Sequence, residues 1–193
     1  MTAAIIIIAV VLGVLLLLAL FVFGMYNSLI RARLRTREAW SGIDVQLKRR
    51  SSLVPNLVET VKGYAAHERG VFENVTKARA QVDQAGGARQ ATDANNQLTQ
   101  ALRQLFAVVE NYPDLKANQN FLALQQELSD IEEKIAFARQ FYNRNVMDFN
   151  TKIQVFPNVI MANMMGFQAF EFFQAEEEAR EDVRVSFAPP TSS

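Results

Sequence analysis

The feature that most constrains this chain is an uninterrupted apolar run over residues 3–25, whose only glycines are Gly13 and Gly24. About 23 residues at about 1.5 Å each reach about 34 Å, sufficient to cross the hydrocarbon core of a bilayer with some tilt. Three features separate the run from a cleaved signal peptide. No Lys or Arg precedes it, it is longer than a signal-peptide core, and no small-x-small cleavage site follows. A lipoprotein signal would need a cysteine, and the chain has none. The run is therefore read as an uncleaved anchor over residues 1–26.

The flanks set an expected orientation. Met1 and Thr2 precede the span, whereas Arg31, Arg33, Arg35 and Arg37 follow it, with Lys48, Arg49 and Arg50 extending the basic stretch against Glu38 and Asp44. Basic residues beside a span stay on the cytoplasmic side, which predicts an outside N-terminus and a cytoplasmic C-terminal part. Tyr26 stands where an interfacial aromatic anchor would. Arg31, Arg33, Arg35 and Arg37 are the candidate membrane-surface contacts. They act either as a topology signal with generic headgroup contact or as a recognition site for anionic lipid.

Twenty acidic and twenty basic residues cancel to zero net charge, and all of them lie in residues 31–193. That part, about one-quarter charged, can bury a core of its own. The lack of cysteine excludes disulfides, thiolate metal sites and cysteine nucleophiles, and it suits a reducing compartment.

Beyond the span the pattern is helical throughout. Trp40, Ile43, Leu47 and Val54 continue the membrane helix at three-, four- and seven-residue spacing. Pro55 then predicts a kink or a new helix start. A second helix from about Pro55 would carry Leu57, Val61, Tyr64, Val71, Val75, Ala78 and Val82. Residues 84–93, with Gly86 and Gly87, read as a loop. A third helix from an Asp93 N-cap carries Leu98, Leu102, Leu105 and Val109 and ends at Asn111-Tyr112-Pro113. The fourth has the longest seam: Phe121, Leu124, Leu128, Ile131, Ile135, Ala138, Tyr142, Asn145, Phe149 and Ile153. Such a seam calls for neighbours at a small crossing angle. The expected fold is all-α: one N-terminal transmembrane helix continuing into an antiparallel four-helix bundle over residues 27–182, then an irregular tail over residues 183–193.

Catalytic chemistry finds little to stand on. His67 is the only histidine, so a zinc site would have to be carboxylate-dominated. An acid/base pair of His67 and Glu68 is outweighed by a simple polar contact at the bundle edge. Asp44, Glu59 and Glu68 have Lys48, Arg49, Arg50 and Lys62 nearby and are expected to form ion pairs. Gly86-Gly87 lacks the lysine and context of a phosphate loop. The aromatic residues are not interleaved with Lys and Arg, which gives nucleic-acid binding no support. No enzymatic activity, cofactor or metal is expected.

Residues 155–173 are rich in Phe and Met, and Phe156, Met161, Met164, Met165, Phe167, Phe170 and Phe173 form the candidate protein-contact surface. Three fates are open: capping the end of the bundle, contacting a partner or a second copy, or lying in the membrane interface. The acidic stretch Glu171, Glu176, Glu177, Glu178, Glu181 and Asp182 argues against the last, since an anionic leaflet repels it.

Several stretches resemble the LemA family. They are residues 26–30 (YNSLI), 39–50 (AWSGIDVQLKRR), 53–64 (LVPNLVETVKGY), His67-Glu68 and 137–143 (FARQFYN), with the pattern around Phe156-Pro157 and Phe167. A departure is Asn143-Arg144-Asn145 before Val146, where the family more often has a small or acidic residue. The resemblance implies a bacterial inner-membrane protein with a cytoplasmic four-helix bundle and no established enzymatic activity. It further implies a relative involved in shaping membrane invaginations, and an association with a membrane zinc metalloprotease or a TPM-domain protein. The expected function is a homo-oligomeric scaffold at the inner leaflet; the rival is a monomeric adaptor or regulator of a membrane protease or envelope-stress system.

Overall fold

A computed structural model describes residues 2–174. Its helices are α1 (Thr2–Lys62), α2 (Arg69–Gln84), α3 (Ala88–Val109), α4 (Pro113–Lys116), α5 (Gln119–Gln154) and α6 (Asn158–Met164). No strand occurs among the described residues. The tail expected over residues 183–193 and the acids Glu176, Glu177, Glu178, Glu181 and Asp182 lie outside the described residues.

The 61 residues of α1 make a rod about 90 Å long. Residues 3–24 are exposed throughout, so this apolar stretch is not a core helix of the bundle. Burial begins at Leu29 and returns at Ala32, Thr36, Ala39, Ile43, Leu47, Arg50, Val54, Leu57 and Val61. Those three- and four-residue steps form one helical stripe. The span and the first bundle helix are thus a single element.

The other helices fold along that rod. α5 runs antiparallel to it: Thr36 Oγ1 donates to the Asn145 carbonyl at 3.2 Å, Trp40 meets Tyr142 at 5.5 Å between ring centroids, and Arg50 pairs with Glu132 at 2.9 Å. α2 turns back against the distal part of α1, and α3 reverses along α2. The turn α4, started by Pro113 in its first turn, leads to α5. There the Asn118 side chain caps the Asn120 and Phe121 amides at 2.9 and 3.1 Å. The result is an up-down-up-down bundle, with Ile43, Leu57, Val61, Val75, Leu98, Leu105 and Val146 fully buried in its core. The α5 seam matches the expected one, with Val146 as an added buried position.

Two helix boundaries differ from expectation. Pro55 neither breaks α1 nor starts a helix; α1 continues to Lys62, and the break falls over residues 63–68. Gly63, a poor helix former, opens that break. Asp93 is not an N-cap, because α3 begins at Ala88. Ala91, Thr92, Ala94 and Asn95 are buried there, so small side chains supply the face that the loop reading missed. Gly87, at φ +152°, makes the tight α2–α3 turn with a backbone that side chains rarely adopt.

That turn lies near Ser51, whose Oγ donates to Asp83 Oδ1 at 2.6 Å. The α2–α3 hairpin therefore covers only the distal part of α1. Nearer the span, α1 and α5 form a two-helix stalk, and a third element is supplied by residues 167–174, an extended strap laid along α5.

Candidate membrane and protein-contact surfaces

The strap is held by two asparagines. Asn150 Nδ2 donates to the Phe170 carbonyl and its Oδ1 accepts from the Phe170 N–H, both at 2.9 Å. Asn143 makes the same pair with Phe173, again at 2.9 Å each. The spacings agree: seven helical residues rise about 10.5 Å, and three extended residues span about 10 Å. Tyr142 Oη donates to the Glu171 carbonyl at 2.9 Å. Burial, and next the Glu171 carboxylate, push the Tyr142 phenol up to about 12. The sequence reading noted Asn143 only within the resemblance and passed over Asn150, although two amides seven residues apart on one helix face were a legible signal.

These bonds divide the seven aromatic and methionine residues expected to contact proteins. Phe173 is in the core, 1% exposed, with its ring 6.3 Å from Trp40; it is closed to any partner. Phe167 and Phe170 are half-buried and set edge-on to Phe149, at 6.1 and 5.1 Å. Met161 packs on the same small cluster as Leu29, Ala32, Ile153 and Ala162. Phe156, Met164 and Met165 are exposed, at 80, 77 and 53%. α6 reverses into the strap through Gly166, at φ +66°. The Phe167 N–H reaches the Ala162 carbonyl (3.0 Å) and the Gly166 N–H the Asn163 carbonyl (3.3 Å), the paired bonds of a Schellman cap.

The four arginines are distributed around α1. At 100° per residue Arg31 and Arg35 share one side, Arg33 and Arg37 another. Arg33 lies over the Phe167 ring at 5.6 Å, so it binds the C-terminal segment; Arg31, Arg35 and Arg37 are exposed. Lys48, Arg49 and Arg50 stand apart. They lie 23 to 25 residues beyond Met25, about 35 Å along the rod, several Debye lengths from a bilayer in which the apolar run sits.

Arg50 is buried at 5% exposure. Its guanidinium contacts Asn95 Oδ1 (2.7 Å) and Thr99 Oγ1 (3.0 Å) on α3, and Glu132 on α5. It clamps the two helices across a cavity of about 470 Å³ whose rim includes Arg103, Arg139 and Phe173. His67 lies exposed in the turn after α1. Asp44 and Glu59 pair with Lys48 and Lys62, at 2.6 and 4.0 Å, as expected. Among the described residues no group of three His, Asp or Glu side chains is placed to hold a metal ion.

A second exposed apolar surface lies on α5. Phe137 and Phe141, one turn apart, are 73 and 53% exposed. They line a shallow furrow together with Glu38, Ala39 and Gly42 of α1 and Glu133 and Lys134 of α5. A Cβ at Gly42 would meet nothing within 4 Å. These phenylalanines fall outside the core-facing period of α5, which is the signal that marks them.

Comparison with known proteins gives a consistent picture. The pattern that defines the LemA family matches residues 39–187. Magnetosome protein MamQ 2 of Paramagnetospirillum magneticum is 26% identical over 175 positions, covering 77% of this chain and 64% of the relative. Magnetosome protein MamQ of Magnetospirillum gryphiswaldense is 25% identical over 174 positions, with the same coverage. Protein LemA of Metamycoplasma hominis is 27% identical over 164 positions, covering 84% of this chain and 75% of the relative. The chain thus spans a little under two-thirds of the length of the MamQ proteins.

Proposed function

The chain belongs to the LemA family and is membrane-associated, and from that premise we propose that it is a non-enzymatic, single-pass scaffold that self-associates at the inner leaflet of a bacterial plasma membrane. The observation that carries this reading is the continuity of α1: one unbroken helix joins the span to the tip of the bundle. Such a helix converts the position of the anchor into the position of every surface above it. A protein built this way holds its neighbours at fixed height and angle, which is what organising or shaping a membrane requires. The kinship with magnetosome proteins is in keeping with that role. The arginines after the span support a cytoplasmic bundle with the N-terminus outside.

The surface proposed for self-association is the furrow between α1 and α5 that Phe137 and Phe141 line. Two exposed aromatics beside a glycine invite a helix from another copy. Phe167 and Phe170 serve the strap and are poor reporters of an interface, because a charge there would release it from Phe149. Light scattering of the full chain in mild detergent is expected to give a protein mass several times 21.7 kDa. Phe137→Glu with Phe141→Glu is expected to lower that mass while leaving helix content unchanged. A monodisperse monomer in detergent and in nanodiscs would remove the scaffold reading. Affinity purification at native expression separates the rival: a stoichiometric second protein, such as a membrane metalloprotease or a TPM-domain protein, would favour an adaptor.

A further inference from the structure

We infer that α6 and the turn before it form a second membrane contact, immersed at the boundary between headgroups and acyl chains beside the point where α1 leaves the bilayer. Three observations converge on a lipid surface as the occupant of this face.

The first is composition at the turn. Residues 153–170 contain no charged side chain. Val155, Phe156, Ile160, Met164 and Met165 are all at least 45% exposed, with Phe156 at 80%. A surface that is apolar, uncharged and unpacked is suited to lipid or to another apolar face.

The second is height. Trp40 is level with Tyr142; fourteen residues down α1 and fourteen onward along α5 bring Tyr26 level with Phe156. Tyr26 follows Met25, the end of the apolar run. α6 packs on Leu29, four residues, or about 6 Å, beyond that end. The interfacial layer of a bilayer is itself about 5–8 Å deep on each side. With α1 in the membrane, the turn cannot avoid that layer. This continuity with the span favours lipid over a second copy.

The third concerns the acidic stretch, which argued against a membrane location. Gly166 turns the chain back, and the strap climbs α5 away from the span. Glu171 reaches the level of Tyr142, fourteen to fifteen residues, or about 22 Å, above Met25. The described acid beside the Phe/Met stretch is therefore carried out of reach of a charged leaflet.

The chain lacks cysteine, so single nitroxide labels can be placed by Phe156→Cys, Met164→Cys and, as a control, Met147→Cys, an exposed α5 position. The full chain would be reconstituted in vesicles of phosphatidylethanolamine and phosphatidylglycerol, and collisions with oxygen and with a water-soluble nickel complex measured. Labels at 156 and 164 are expected to lose nickel collisions and keep oxygen collisions relative to 147. Nickel access at 156 and 164 equal to that at 147 would overturn the inference. So would shielding from both reagents with dipolar broadening that grows with protein density, the signature of a second copy on this face. The inference rests on residues 3–25 spanning the membrane, a reading that fails separately if the protein leaves the vesicles in alkaline carbonate.

Discussion

Arg79 Nε donates to the carbonyl oxygen of Ser51 at 3.1 Å, and that carbonyl is the one Pro55 deprives of its helical N–H. A proline inside a helix removes the bond to the residue four before it and costs about 3 kcal/mol. Ser51 is 2% exposed, so its carbonyl has little access to water and needs a protein donor. Arg79, on α2 and oriented by Asp83 at 3.7 Å, supplies one. A position that reads as a helix break thus becomes the point where α2 docks.

This relationship is testable by a double-mutant cycle. Arg79→Met is expected to cost about 1–3 kcal/mol, the penalty of an orphaned buried acceptor. In a Pro55→Ala background the alanine N–H can take the Ser51 carbonyl, and the same substitution should cost under about 1 kcal/mol. Urea unfolding of the full chain in detergent measures both. Equal costs in the two backgrounds would show that Arg79 does not serve the proline.

The strap depends on two side-chain amides. Asn143→Leu and Asn150→Leu each strand a backbone N–H and C=O, at about 1–3 kcal/mol per variant. Limited proteolysis should then cut within residues 167–174 while the distal bundle stays protected. Cleavage rates like those of the unaltered chain would refute the clamp.

Gly166 is expected to tolerate no L side chain without strain. A Cβ there meets nothing within 4 Å, yet φ is +66°, so the cost is purely conformational. Gly166→Ala should destabilise by about 1 kcal/mol and Gly166→Asn by less, because asparagine visits the left-handed region more readily. Thermal unfolding would rank the two; an alanine variant as stable as the parent would contradict the assignment.

Alkaline titration should expose Tyr142. Its phenol ionises near 10 when unfolded and about 12 when folded, so the folded state holds the proton longer. The resulting stability is complete below pH 10 and is lost as pH rises to 12, by up to about 1.4 kcal/mol per pH unit. Phenolate absorbance should show a late-titrating component that disappears in Tyr142→Phe. A titration curve of the folded protein that Tyr142→Phe leaves unchanged above about pH 11 would count against the buried Tyr142–Glu171 contact.

Much of the architecture follows from local pattern, and therefore from sequence by itself. The span is set by uncharged length, the α5 seam by residues recurring every three or four positions, and the LemA resemblance by contiguous motifs. These signals need no partner to be read, because hydropathy and helical period are properties of neighbouring residues. What required the tertiary structure depends on distant ones. Pro55 sits inside α1 with the carbonyl it frees taken by Arg79, twenty-four positions later. Ala91 and Ala94 are core because α3 packs closely enough for small side chains to be buried. Phe173 is sealed while Phe156 is bare because Asn143 and Asn150 fix the strap along one side of α5. The direction of that strap decides whether the Phe/Met turn stands beside acids or beside the end of the span, and only the packed chain determines a direction.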